Sequence, residues 1–288
     1  MTQKERVKRA LLSGAKHITE IAEETDILLP NVRRIVGVGA KEGEMVRIDR
    51  GVYILNIDGK DAAYVQCADA AQALPRLAAL GWKFDMVFLD PAYFSKQLIG
   101  GNRKPIKYDF IHPGEFDKVI ESAGKLLRTD DSHLYLMLSG AGSAYNDMLK
   151  YVNASMMLNG LHMIGQGEYK KLNKDGSFVT NIRGREAAAE RILLFTKSGR
   201  LRDGEQPVKY SFEFLRPHIS KSYPTEKPQE LMAEIILQST FEGDIILDPF
   251  AGSGVTGEQA VRHGRRVYLI DKSAGAVQNF IIPRLRAA

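Results

Sequence analysis

A single cysteine, Cys67, stands in 288 residues. No intramolecular disulfide can form, and a zinc site built on cysteines lacks its ligands. No apolar run approaches the roughly 18 residues of a membrane span. The first thirty residues are charged and helical in pattern, without the apolar centre of a secretion signal. Internal repeats and low-complexity tracts are also missing. These absences predict a soluble protein of a reducing, cytoplasmic compartment, held together by its core alone. With 44% hydrophobic and 26% charged residues, the chain has the apolar material for a full core.

Acidic residues are scarce in one further place. Between Phe94 and Tyr108 there are Lys96, Arg103, Lys104 and Lys107 and no acid. Residues 160–228 carry 13 basic and eight acidic side chains. The net charge of +5 is therefore concentrated in predicted loops, as expected for a polyanionic partner or for a plain solvated surface.

What is present divides the chain into two parts. Residues 1–56 predict three short helices and a hairpin. Glu5 to Leu12 and His17 to Glu24 are amphipathic, and Pro30 suits the first turn of a third helix. Val32, Ile35 and Val36 would face inward there, with Arg33 and Arg34 outward. Met45 to Leu55 reads as two strands about Asp49-Arg50-Gly51. This order is that of a winged helix-turn-helix, a module that contacts either DNA or another protein. A polar linker over 57–63 follows. From residue 64 onward strands alternate with helices, which predicts an α/β domain with a largely parallel sheet covered on both faces.

Two strand ends carry the chemistry. The apolar strand Asp85–Leu89 stops at Asp90-Pro91-Ala92-Tyr93. A carboxylate and the Pro91 carbonyl can accept N–H bonds from an exocyclic amino group while the Tyr93 ring stacks on its base. Far downstream, the strand Ile245–Leu247 stops at Asp248-Pro249-Phe250-Ala251-Gly252-Ser253-Gly254. Gly252 to Gly257 also fits a dinucleotide fingerprint, with Asp271 closing the next strand. That fingerprint alone would suit a nicotinamide dehydrogenase, but two features argue against one. An acid directly before the glycines suits a cationic amino group, which NAD lacks. Only 17 residues follow Asp271, too few for the remaining strands of a dinucleotide fold.

The chain resembles the S-adenosylmethionine-dependent amino methyltransferases of DNA, of the permuted β class. Three motifs carry the resemblance in the family's order: Asp90–Tyr93, Pro224-Thr225-Glu226-Lys227-Pro228 and Asp248–Gly254. It covers residues 64–283 and implies a Rossmann-like methyltransferase sheet, with residues 165–222 as the target-recognition region. Ala92 departs from the family's second proline, and Tyr223 stands where a His is common.

By this resemblance, Asp90, Pro91, Ala92 and Tyr93 form the catalytic motif. Asp69, Lys227, Asp248, Phe250, Ala251, Gly252, Ser253, Gly254 and Asp271 hold S-adenosylmethionine, and no metal is required. Asp248 takes the methionine end, Asp271 the ribose hydroxyls, Asp69 the adenine end, and Lys227 the methionine carboxylate. Asp69 serves equally well as a helix cap. DNA contacts fall to Lys96, Arg103, Lys104, Lys107, Tyr169, Lys170, Arg183 and Arg185, with Arg33 and Arg34 from the first unit. Tyr169 would be a second aromatic on a flipped base. The resemblance implies methylation of the adenine amino group in duplex DNA, with a homodimer and a cognate restriction endonuclease among the expected partners. N4-cytosine methylation, an RNA substrate and an inactive DNA-binding regulator remain as alternatives. Methylation at cytosine carbon five does not fit, because Asp90-Pro91 occupies the place of its nucleophilic cysteine.

Overall fold

The computed structural model describes residues 1–14, 16–50, 52–57, 62–91, 113–139, 143–173, 175–178, 190–201, 211–215, 223 and 226–288. Within the first part lie helices α1 (Gln3–Leu11), α2 (Ile18–Thr25) and α3 (Leu29–Lys41), and strands β1 (Lys16–His17), β2 (Met45–Asp49) and β3 (Val52–Leu55). Local chemistry explains the boundaries. Thr2 and Glu5 form a reciprocal capping box at the start of α1, and His17 and Glu20 do the same for α2. Asp26 ends α2 in the left-handed conformation, with φ of 49°. The three strands form a small antiparallel sheet in the order β1-β3-β2. Arg33 and Arg34 are exposed on α3, while Val32, Ile35 and Val36 are buried.

The larger sheet is built from β4 (Ala63–Cys67), β5 (Met86–Leu89), β6 (His133–Ser139), β7 (His162–Leu172), β8 (Glu190–Thr196), β9 (Ser211–Leu215), β10 (Ile245–Asp248) and β11 (Arg266–Asp271). Its order is β4-β11-β10-β5-β6-β8-β7-β9. The five strands from β4 to β6 are mutually parallel. Only β8 runs against its two neighbours. The sheet is thus mostly parallel, as its alternating pattern of strands and helices predicts. Two features exceed that pattern. β7 continues to Leu172 through Gly165 and Gly167, and β9 adds an edge strand.

Side chains alternate between two apolar layers. Val87, Leu89, Leu134, Leu136 and Leu247 face α4 (Ala70–Ala79), α5 (Pro113–Leu126) and α6 (Ser143–Leu158). Met86, Phe88, Tyr135, Ile246 and Leu269 face α7 (Gln229–Ser239), α8 (Val255–Arg262) and the C-terminal helical segment that ends at Ile282–Ala287. Buried residues of α1–α3 belong to this second layer. The first part therefore shares a core with the sheet. The Cys67 N–H also donates to the Leu12 carbonyl, and Arg76 pairs with Glu20 at 2.9 Å. A buried Asp85 ties β5 to β10, accepting the Ile245 N–H at 3.0 Å and the Arg128 guanidinium at 2.8 Å. No helix among the described residues is long and apolar enough to cross a membrane.

Candidate active site

The chain order places the switch point of the sheet between β10 and β5. From β10 the chain proceeds to β11 on one side, while β5 lies on the other. The crevice above such a point is where open α/β sheets bind ligands. Leu247 pairs with Val87 in register. The two motif-bearing strand ends, remote in sequence, are thereby neighbours, and Asp90 adds its negative charge to the field felt by Asp248.

The glycine turn after β10 is determined by sterics. Gly252 and Gly254 have φ of 51° and 81°, a region costly for residues with a Cβ. A Cβ on Gly254 would lie 3.1 Å from the Ile281 Cα, and one on Gly257 only 2.6 Å from the Leu269 Cδ1. At Gly252 the obstacle would be the Tyr223 ring, at 3.2 Å. Tyr223 in turn stands edge-on to Phe280, with centroids 5.4 Å apart. An aromatic wall at this turn is a feature that the motif alone does not reveal.

Two carboxylates brace the turn. Asp271, at the end of β11, accepts the Gly252 N–H at 2.9 Å and the Ser273 N–H at 2.7 Å. Burial pushes its carboxyl above the usual range. Asp248 is 2% exposed and accepts the Phe250 N–H at 2.9 Å. Burial drives its carboxyl up to about 7, and the charges of Asp90 and Asp271 add to that rise. Bonds from Thr256 and Phe250 oppose it. A buried acid in this condition favours a cation beside it. Asp69 caps α4, accepting the Ala71 N–H at 2.9 Å. It stands at the same sheet edge as Asp271, since the Ala68 N–H donates to the Asp271 carbonyl.

At the end of β5, Pro91 is buried and the Asp90 side chain is 19% exposed. The Lys227 ammonium lies 2.6 Å from Asp90 and 3.2 Å from Glu190. Glu190 also holds Lys171 at 2.5 Å. Burial raises the Glu190 carboxyl, but Lys227 and Lys171 outweigh it and hold the group below its ordinary range. Glu190 and Lys171 join this ion-pair line, and no motif marks them. The one signal is a charged residue opening an otherwise apolar strand. In the structure the Lys227 ammonium thus lies beside Asp90 and Glu190; the resemblance implies a cofactor carboxylate as a partner.

Tyr169 requires a correction. It is 1% exposed and part of the core layer with Ile192 and Leu194. In this arrangement its ring is covered by protein and does not offer a face to a base. Lys170 lies over the Phe178 ring at 5.4 Å and near Glu168 at 3.5 Å. Ala92, Tyr93, Lys96, Arg103, Lys104, Lys107, Arg183 and Arg185 lie outside the described residues, as do Pro224 and Thr225.

Comparison with known proteins follows the same lines. Residues 200–282 match the model of a family described as DNA methylase, of the N6/N4 type. The Type II methyltransferase M2.DpnII of Streptococcus pneumoniae is 49% identical over 74 residues, 25% of this chain and 28% of that protein. The Type II methyltransferase M2.LlaDCHI of Lactococcus lactis subsp. cremoris is 55% identical over 49 residues, 17% and 18% of the two chains. The matched stretches thus span less than a third of either relative. Among solved structures, the M1.HpyAVI–SAM complex aligns with a TM-score of 0.57 at 21% identity, covering 78% of this chain and 98% of the other. The PvuII DNA methyltransferase (cytosine-N4-specific) aligns at 0.56 and 16% identity, covering 75% and 84%. These two likenesses concern the fold. The matched segment, residues 200–282, supplies the glycine turn of this sheet.

Proposed function

We propose that the protein transfers a methyl group from S-adenosylmethionine to the exocyclic amino group of adenine in DNA. One observation carries this reading. The buried Asp248 with its glycine turn and the Asp90-Pro91 strand end stand side by side at the switch point of one sheet.

The residues fit the cofactor. Gly252 and Gly254 let the turn pass close to the Tyr223 ring and the Ile281 backbone, where a Cβ would crowd it. Asp248 offers a buried carboxylate to the α-ammonium of the methionine part. Asp271 retains acceptor capacity for ribose hydroxyls, since an ionised carboxylate has about four lone-pair sites and two are used by backbone N–H groups. When bound, S-adenosylmethionine supplies a methyl already activated on a sulfonium. The protein's part is to present the acceptor in line and to exclude competing groups.

Asp90 and the Pro91 carbonyl accept the two N–H bonds of the target amino group. These bonds favour a pyramidal nitrogen and stabilise the positive charge that develops on it during attack. The amino group is unreachable inside a duplex, so the base must leave the stack, at a cost of a few kcal/mol. Tyr93 is the aromatic that would receive it. Adenine is preferred to cytosine on the resemblance alone, since the family's cytosine-amino enzymes more often carry Ser in place of the first Asp, and the fold does not discriminate between the two. Arg33 and Arg34, exposed on α3, would supply contacts to DNA phosphates from a winged-helix-like unit.

The test is transfer of labelled methyl from S-adenosylmethionine to unmethylated duplex DNA, single-stranded DNA and RNA, with nucleoside analysis of the product. N6-methyladenine in DNA is the expected result. N4-methylcytosine would reassign the base, label in RNA alone would reassign the substrate, and no transfer would favour a regulator.

A further inference from the structure

Asp90 does not stand alone at its strand end. Lys171 on β7, Glu190 opening β8, Lys227 ahead of α7 and Asp90 closing β5 form a line of alternating charge, with separations of 2.5, 3.2 and 2.6 Å. Four separate segments meet to make it. The Glu190 and Lys227 side chains are 7% and 10% exposed, so water screens their interaction weakly. The backbone around Lys227 is anchored as well. Its neighbour Glu226 pairs with Arg284 at 2.9 Å, and Arg284 pairs with Glu258 at 3.1 Å. Lys227 is thus directed at Asp90 from a fixed base.

Two costs must be met at this corner. Asp90 faces Asp248 on the adjacent strand, and like charges in a buried crevice drive one carboxyl towards its neutral form. Moreover, a buried Glu190 is expensive unless it is paired. Lys227 answers both, and Lys171 completes the compensation of Glu190. We infer that Lys227 and Glu190 are positioning residues for the methyl-transfer reaction: Lys227 keeps Asp90 ionised and oriented towards the target amino group, and Glu190 holds Lys227 in that place while moderating its charge. This rests on the proposed role of Asp90 as the amino-group acceptor. It gives Lys227 a partner on the acceptor side of the crevice, away from the methionine carboxylate.

The arrangement makes a sign prediction. At saturating S-adenosylmethionine, where the proton on Asp248 no longer limits binding, active enzyme requires ionised Asp90, so its ionisation sets the acidic limb of the pH–rate profile. Removing the cation at Lys227 exposes Asp90 to Glu190 and Asp248, and the limb moves to higher pH. Removing the anion at Glu190 leaves the cation acting on Asp90 undiluted, and the limb moves to lower pH. A merely structural role would move neither, or both in the same direction.

The experiment measures single-turnover methyl transfer to DNA between pH 5 and 9 for wild type, Asp90→Ala, Lys227→Gln, Glu190→Gln and Glu190→Asp, with S-adenosylmethionine binding measured alongside. Lys227→Gln should raise the limb by about one pH unit, the scale of an opposite charge within 4–6 Å, and slow transfer at least tenfold. Glu190→Gln should lower it by about half a unit, because it acts through Lys227. Glu190→Asp, which keeps the charge, should stay close to wild type. Should Glu190→Gln fail to fold, Lys171→Gln tests the same line from its far end, and a small upward step is expected. Coincident limbs in all variants would overturn the inference. So would an unmoved limb in Lys227→Gln with cofactor binding weakened tenfold, which would return Lys227 to the methionine carboxylate. Full transfer by Asp90→Ala refutes the role of Asp90 itself, and is recognisable before the other variants are compared.

Discussion

The glycine turn after β10 and the charged corner after β5 lie at neighbouring strand ends, but they are assembled differently. The turn is local. Asp248 to Gly254 is one stretch, braced by Asp271 at the end of the next strand. Its shape follows from positive φ angles and from close approaches that only glycine permits. The corner is non-local. Asp90, Lys171, Glu190 and Lys227 arrive on four segments and are held by charge. The local turn is limited by positive φ and tight approaches, whereas the non-local corner depends on the balance of its charges.

The difference is put to its strongest test by Asp90→Ala. The substitution removes the acceptor and leaves the turn untouched. Transfer should fall about a thousandfold, at the upper end of what one positioned polar partner contributes, while isothermal titration shows S-adenosylmethionine still binding. Joint loss of binding and transfer would mean that corner and turn are one unit. The converse test is Gly254→Ala. A Cβ at φ of 81° beside the Ile281 Cα should cost about 1–3 kcal/mol. The unfolding temperature should drop by several degrees and cofactor binding should weaken, with the acidic limb of any residual transfer unmoved.

The same contrast explains what could be read from the chain. Apolar strands ending in Asp90-Pro91 and Asp248-Pro249 were legible because sheet burial imposes continuous apolar runs and because ligands gather at strand ends. The helices were legible through their spacing and caps. Glu190 and Lys171 were not, since a Glu before Arg191-Ile192 resembles any solvated strand start until the fold buries it beneath two lysines. The apolar strand pattern of β7 fades after Ile164, because Gly165, Gly167 and the polar residues between them weaken it. Pairing with β8 carries it on to Leu172. Tyr169, which the resemblance would place on a flipped base, is buried in the core layer along that extension.

Protonation separates the two regions more finely. Asp248 has an ordinary value of 3.8 and is raised by burial to about 7. Because the folded-state value is the higher one, the free protein loses stability from this group as pH rises from 3.8 to about 7. A bound cation favours the ionised form, so a proton must leave Asp248 on binding below pH 7. Affinity for S-adenosylmethionine should then fall by up to tenfold per pH unit below about 7 and level off above it. Titrations between pH 5.5 and 8.5 check this, and Asp248→Asn should flatten the curve. A slope that persists in Asp248→Asn would assign the proton elsewhere.

The smallest expected effect lies furthest from the crevice. Arg33 and Arg34 are exposed on α3, in a part whose buried residues join the main core. Deleting that part would uncover the sheet, so charge reversal is the cleaner probe. If α3 meets DNA, Arg33→Glu with Arg34→Glu should weaken duplex binding several-fold. It should also reduce the dependence of log K on log[salt] by about 0.9 for each phosphate that is no longer neutralised. Transfer at saturating DNA should be unaffected, because neither residue belongs to the Asp90 corner or the Asp248 turn. An unchanged salt dependence would make α3 a surface for protein binding. A lowered rate at saturation would instead show that the shared core carries strain from α3 into the sheet, and that turn and corner are linked through a third region.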